Sequence, residues 1–259
     1  MNRYRQKGFT LAELMISTVL SLSVIATVLI GYVATSTSAI STLAESKLNH
    51  ELASLMSLMI DDIRRAGYWG TLAALDDPTV NPFNIVNQST LSVFDSSETD
   101  NLAGTTGNGT CLTYTYDMNR NGTLEAEELT GFRLRGGVVQ MRTSGILGPV
   151  SCAGPNDVWE NLTDVAQINV TTLNFDLAES VCLNTREPDD LDNDGNSAID
   201  NIEEIDCYRT PLPAAGSGDV TVETREVRIT VGGTLADDAF VRLMQSQTVR
   251  VRNELIRVR

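Results

Sequence analysis

The chain has 259 residues, 42% of them hydrophobic, with 34 acidic against 19 basic side chains and a formal net charge of −15. That balance offers no basic stripe outside the final strand, so it excludes nucleic-acid binding and disfavours attraction to lipid headgroups. The single histidine, His50, excludes a multi-histidine metal site and leaves a Ser-His-Asp or Cys-His apparatus unsupported.

In chain order the first feature is a basic stretch, Arg3, Arg5 and Lys7, ahead of Gly8-Phe9-Thr10-Leu11-Ala12-Glu13 and an apolar run to about Val33. A helix of roughly 25 residues at ~1.5 Å per residue spans the ~30 Å hydrocarbon core of a bilayer. The basic flank stays in the cytoplasm, which sends the rest of the chain outward. An ordinary secretory leader has a shorter apolar core of ~7–15 residues. Glu13 is the one charge in the run, and a carboxylate facing lipid costs on the order of 3 kcal/mol, so it needs a partner or a task.

A basic leader, a Gly-Phe junction and a glutamate five residues past the glycine resemble the class III leader of type IV pilins and type II secretion pseudopilins. The resemblance implies that a prepilin peptidase cuts between Gly8 and Phe9 and methylates the new terminus at Phe9. It also implies that Glu13 pairs with that amine between neighbouring subunits and sets their axial register. Opposite charges in low dielectric attract strongly enough for such a role. The rival is a plain single-pass anchor with an incidental acid. Loss of the leader, with three basic residues and no acid, makes the mature chain more acidic still.

Past Val33 a Ser/Thr-rich patch, Thr35 to Thr42, leads into an amphipathic segment. There Leu48, Leu52, Leu55, Met56, Met59, Ile60 and Ile63 recur at spacings of three and four. The pattern predicts one helix from Phe9 to about Ala66, ended by Gly67 as a left-handed cap. Leu48 to Gly70, closing on Asp62-Ile63-Arg64-Arg65-Ala66-Gly67-Tyr68-Trp69-Gly70, resembles the helix end of PilW-type minor pilins. Tyr68 and Trp69 read as core packing under that end. The domain reading is a leader at 1–8, the helix at 9–66 with its membrane part at about 9–33, and an extracytoplasmic domain at 67–259.

From Thr71 to Thr110 turn residues dominate, with Ser89 to Phe94 as the one expected strand. Alternation then marks Leu112 to Tyr116, Phe132 to Leu134, a Gly136-Gly137 hairpin turn into Val138 to Met141, Val165 to Leu177, Val227 to Val231, and Val249 to Val251. The fold class is α+β, a pilin-like fold in which a long N-terminal helix packs on an antiparallel sheet. The closing Val249-Arg250-Val251-Arg252-Asn253 resembles the end of PilW-type chains; by itself it reads as a solvated strand face.

Four cysteines, Cys111, Cys152, Cys182 and Cys207, lie beyond the membrane run. An even count in an oxidising compartment reads as two disulfides, with sequence-nearest pairing favoured among three connectivities. Zinc is the rival, without short Cys-x-Cys spacing to support it.

Asp117 to Glu128 has the oxygen spacing of a calcium loop. Asp117, Asn119, Asn121, Glu125 and Glu128 stand at positions one, three, five, nine and twelve, Gly122 at six, and the Thr123 carbonyl at seven. Its flanks read as strand and loop, without the paired helices of an EF-hand, so the expectation is an isolated Ca2+ clamp. A second candidate, Asp190, Asp192, Asp194 and Asn196 with Asp200, fits in its first half only and lies in a block, Glu187 to Asp206, rich in acids and free of bases.

These features favour a structural protein over an enzyme. The resemblance implies a minor pilin in type IV pilus assembly, with other minor pilins, the major pilin, the prepilin peptidase and the inner-membrane assembly platform as partners. Alternatives are a J-type pseudopilin of type II secretion and a membrane-tethered calcium-dependent adhesin.

Overall fold

The computed structural model describes residues 8–70, 77–95, 108–148, 151–192, 195–208 and 218–258, so the leader side chains Arg3, Arg5 and Lys7 lie outside the described residues. The chain falls into two compact units, Met1–Lys47 and Leu48–Arg259.

The first unit carries the opening stretch of helix α1, which runs Leu11–Ile63. Thr10 starts it. The Thr10 amide and hydroxyl each donate to Glu13 Oε2 at 2.9 Å, and the Glu13 amide donates to Thr10 Oγ1 at 3.3 Å. This reciprocal capping box satisfies amides that have no intrahelical acceptor. Further on, Ser17, Thr18, Ser21, Ser23 and Thr27 donate to carbonyls three or four residues earlier, as do Thr35, Thr37, Ser41 and Thr42. Such bonds keep hydroxyl hydrogens satisfied within the helix, so a hydroxyl-rich run stays compatible with an apolar solvent. The large apolar side chains from Leu11 to Val33 are exposed. By length and composition α1 is able to cross a membrane.

In the second unit the helix is amphipathic. Leu48, Leu52, Leu55, Met56, Met59, Ile60 and Ile63 are all buried, as their spacing predicts. Regular helix stops at Ile63, short of Ala66, because the last turn tightens: Arg65 N donates to Asp62 O and Ala66 N to Ile63 O, both at 3.0 Å. Gly67 follows with φ +72°, the left-handed cap. A Cβ there would also lie 2.6 Å from the Asn84 side chain, which would have to move aside, while the positive φ favours glycine whatever the space.

Among the described residues twelve strands follow: β1 (Ser92–Phe94), β2 (Asn108–Gly109), β3 (Cys111–Thr115), β4 (Leu129–Arg135), β5 (Val138–Ser144), β6 (Val158–Asn161), β7 (Ile168–Asp176), β8 (Val181–Asn184), β9 (Val220–Thr224), β10 (Glu226–Leu235), β11 (Arg242–Arg250) and β12 (Leu255–Val258), with a short helix α2 (Ile202–Ile205) between β8 and β9. The arrangement is α+β and pilin-like, and among the described residues every pairing is antiparallel. Among the described residues the strands form three sheets where one was expected, ordered β1-β3-β4-β5-β6, β11-β10-β7-β2 and β12-β9-β8. Gly136 and Gly137, at φ +60° and +79°, turn β4 into β5 as a two-residue hairpin requires.

The third sheet was hidden from alternation because charge organises it. Glu223 on β9 is fully buried and accepts from Arg225 and Arg257 at 3.1 Å and from Tyr208 Oη at 2.5 Å. The expected strand Ser89 to Phe94 shrinks to three residues, since Ser89 Oγ donates to Pro82 O at 2.6 Å and accepts from Ile85 N at 2.9 Å, which curls the chain.

Candidate functional site

Several segments converge at the end of α1. Asp62 is buried there, accepts from Tyr114 Oη and, at 3.1 Å, from Tyr116 Oη, and pairs with Arg65. The Arg65 guanidinium also lies 4.6 Å from the centre of the Tyr116 ring. Burial first, then the Asp62 charge, pushes both phenols above the ordinary tyrosine range, so both stay protonated donors.

The carbonyls left over at the helix end are taken by the chain's closing segment. Asn253 Nδ2 donates to Ala66 O at 3.0 Å and Arg252 N to Arg64 O at 3.2 Å. The Arg252 backbone amide and the Asn253 side chain therefore form a C-terminal cap, while the basic side chains Arg250 and Arg252 stay exposed, as their sequence predicts. Tyr68 is exposed at the surface, against the expectation of core packing, and Trp69 is half-buried.

Beyond the cap the chain runs alongside the end of β3. Gly67 N donates to Thr115 O at 2.8 Å and Asp117 N to Tyr68 O at 2.9 Å. This pairing sets Trp69 and Gly70 against the loop from Asp117 to Glu128. Asp117 Oδ2 accepts from Gly70 N at 2.9 Å and from Gly122 N at 3.0 Å, while Trp69 Nε1 donates to Gly122 O at 3.1 Å. Asp117 is 1% exposed, and its other oxygen, Oδ1, is buried without a hydrogen bond.

Inside the loop Asn119 Oδ1 accepts from Asn121 N at 2.9 Å and Asn121 Oδ1 from Thr123 N at 2.7 Å. Both side-chain amides donate to Glu125, at 2.8 and 3.1 Å. Gly122 at φ +79° and Arg120 at φ +63° make the tight turn. Glu128 is buried, with Oε1 accepting from Met118 N at 2.8 Å and Oε2 from Glu125 N at 3.1 Å. The loop thus links Asn119 and Asn121 through Glu125, while Asp117 holds the amides of Gly70 and Gly122 and Glu128 those of Met118 and Glu125.

The second acidic loop is organised differently. Asp194 lies outside the described residues. Asp192 accepts from the amides of Gly195 at 2.7 Å, Asn196 at 3.1 Å and Ser197 at 2.9 Å, and Asn196 Oδ1 accepts from Ala198 N at 2.8 Å. Asp200 Oδ1 accepts from Asp189 N at 2.9 Å and Asp190 N at 3.2 Å. Among the described residues the one trio of carboxylates within 4.8 Å of one another is Glu187, Asp189 and Asp200, of which only Asp200 belonged to the predicted set. The run of acids marked the region but carried no register for choosing among its members.

The disulfides are Cys111–Cys152 and Cys182–Cys207. The first ties β3 to the segment before β6, where Cys111 and Cys152 pack with Phe94 and half-buried Trp159. The second brackets the acidic loop. Next to it, burial raises the Tyr208 phenol above its usual range, with the Glu223 carboxylate adding to the shift.

At the N-terminal junction Phe9 is exposed, and a Cβ added at Gly8 would meet nothing within 4 Å. The described structure gives no steric reason for glycine at that position.

A family model described as "Prepilin peptidase-dependent protein B" matches residues 41–251, and one described as "Prokaryotic N-terminal methylation motif" matches residues 3–29. No curated protein and no solved structure matches the chain.

Proposed function

The chain belongs to the prepilin peptidase-dependent protein B family, and from that premise we propose that this pilin-type subunit is a non-enzymatic minor pilin acting in the initiation of type IV pilus assembly. The observation that carries the reading is the exposed apolar stretch of α1 from Leu11 to Val33, with Glu13 as its one charge, behind a junction at Gly8 where the fold itself does not ask for glycine. A requirement that the fold does not make points to recognition by another molecule. Here that is the peptidase, cutting between Gly8 and Phe9.

Cleavage would create a positive amine about one helical turn from Glu13. Both bonds from Thr10 use Oε2 of Glu13, so Oε1 is left for the amine of a neighbouring subunit. In a low-dielectric filament core that attraction favours one axial register over its neighbours. Partners on this reading are the major pilin, other minor pilins, the prepilin peptidase and the inner-membrane platform. The domain stands in the periplasm before assembly and at the cell surface after it.

Deletion of the gene, followed by counts of surface pili and a secretion assay, tests the reading. Lost pili with unchanged secretion support it. Lost secretion with normal pili makes the chain a pseudopilin instead. If neither changes and the protein is absent from sheared filaments, it is a tethered domain such as an adhesin. Mass spectrometry of the native protein should show a start at methylated Phe9; an intact leader overturns the processing step.

A further inference from the structure

We propose that the loop from Asp117 to Glu128 binds one calcium ion through Asp117 Oδ1, the side-chain oxygens of Asn119, Asn121 and Glu125 and the carbonyl of Thr123, and that Glu128 braces the loop instead of ligating. The proposal does not rest on the pilin reading.

Its starting point is the Asp117 carboxylate. Two amides hold Oδ2, one of them from Gly122 in the middle of the loop, so the carboxylate lies within the turn. Oδ1 is buried and accepts nothing, although a buried charged oxygen carries its full desolvation cost unless something binds it. A cation removes that cost. The donors nearby in sequence are all oxygens, mixing carboxylate, amide and carbonyl types, which suits a hard ion with flexible coordination. Calcium takes six to eight such ligands, whereas magnesium demands a near-ideal octahedron and keeps most of its waters. Asn119 Oδ1 and Asn121 Oδ1 each accept one backbone amide and retain a second lone pair for metal.

Glu128 departs from the sequence expectation of a bidentate ligand. Both of its oxygens receive backbone amides, at Met118 and Glu125, whereas the Asn119 and Asn121 amides on the Glu125 oxygens belong to exposed side chains that can turn away; with Glu125 it forms a reciprocal capping box around the turn Ala126–Glu128. With Glu128 so engaged, the protein supplies fewer oxygens than calcium prefers, and water completes the shell. Affinity should then fall near the weak range of extracellular modules, about 10⁻⁴–10⁻³ M. Because Asp117 also holds Gly70 N, and Gly122 O holds the Trp69 indole, the ion would lock the segment just after the helix cap onto the β3–β4 loop.

Trp69 makes the site observable. The experiment uses the full chain in detergent micelles, stripped with chelator and titrated with terbium while tryptophan is excited. Sensitised terbium emission should saturate and be displaced by calcium, and calcium should raise the melting temperature. Trp69→Phe should abolish the emission and leave the calcium-dependent melting shift. Asp117→Asn keeps a carbonyl for the two amides and replaces the bare Oδ1. It should weaken terbium binding at least about tenfold and erase the calcium response, while melting without calcium no lower than the parent. The double variant Asn119→Ala/Asn121→Ala, at exposed positions, repeats the test should Asp117→Asn fail to fold.

Glu128→Gln should lower the melting temperature without calcium and change terbium affinity by less than threefold. Lost terbium binding with unchanged melting would overturn the bracing role. Absence of both emission and calcium-dependent melting in the parent overturns the site. So does a response that survives the Asp117 and Asn119/Asn121 variants but disappears with Asp192→Asn, since that places the ion in the other loop.

Discussion

Two acidic loops begin with nearly the same spacing, Asp117-x-Asn119-x-Asn121-Gly122 and Asp190-x-Asp192-x-Asp194-Gly195, yet they end in different physical states. The first hangs between β3 and β4, closed by the Thr115↔Leu129 pair of the sheet, and the fold buries Asp117 and Glu128 at its two ends. The second is closed by the Cys182–Cys207 disulfide and a Leu183↔Asp206 bridge, and Asp190 and Asp192 stay exposed. Burial makes the difference. A carboxylate in water has no need of a particular partner, whereas one sealed under a sheet must be satisfied by amides or by a cation. Identical spacing thus acquires chemical consequence only where the surrounding chain removes solvent.

Removing what closes each loop tests this contrast most strongly. Opening the second with Cys182→Ser/Cys207→Ser frees a segment with a sequence separation of 25 residues. The expected loss of stability is about 3 kcal/mol by chain entropy, read by calorimetry. The terbium signal of the first loop should persist; its loss would show that the two loops are coupled. Replacing the brace of the first loop, Glu128→Ala, strands the amides of Met118 and Glu125 and should cost about 2–3 kcal/mol. A cost below ~0.5 kcal/mol would mean that Glu128 holds nothing.

A smaller effect per residue comes from the tyrosines beside each region. Tyr114 and Tyr116 near the first loop and Tyr208 near the second all have pKa values raised in the folded state, first by burial. Their contribution is therefore fully present below the unfolded tyrosine pKa of about 10. Above it the unfolded chain loses protons that the folded chain keeps, and stability falls by up to ~1.4 kcal/mol per pH unit for each tyrosine. Denaturant titrations between pH 9 and pH 11, about this pKa, should show the decline, with Tyr208→Phe removing part of the slope. A flat profile would contradict the burial of these phenols. The smallest effect belongs to Asp190→Asn, an exposed change at φ +64° that asparagine tolerates, expected within ~0.5 kcal/mol and without effect on any calcium response.

Local signals found some of these features and missed others for identifiable reasons. The stripe from Leu48 to Ile63, the Gly67 cap and the Gly136-Gly137 turn could be read directly, because each depends on neighbours within a few residues. Strands β6, β8, β9 and β12 escaped, being short and sustained by partners far along the chain, Glu223 with Arg257 among them. β11 was seen only at its last residues, since an edge strand with mostly exposed side chains has no reason to alternate. The Thr10–Glu13 capping box follows the four-residue signature Thr-x-x-Glu, a local feature that the intersubunit role expected of Glu13 does not call for. At the candidate metal loop the oxygen positions were visible, but the division of labour between Asp117 and Glu128 was not.

Patterns of local range, namely the basic leader with its Gly-Phe junction and Glu13, the lipid-length apolar run, the stripe at spacings of three and four and the alternating segments, sufficed to set the helix, the fold class and the family resemblance. Solvent exclusion was beyond their reach, because it depends on residues far apart in the chain. Asn253 meets Ala66 across a sequence separation of 187, and Gly70 meets Asp117 across 47, where the cap at Gly67 turns the chain back along β3. Which carboxylate oxygen is left buried without a hydrogen bond was therefore decided by packing, where charge is costly, and not by the order of the residues alone.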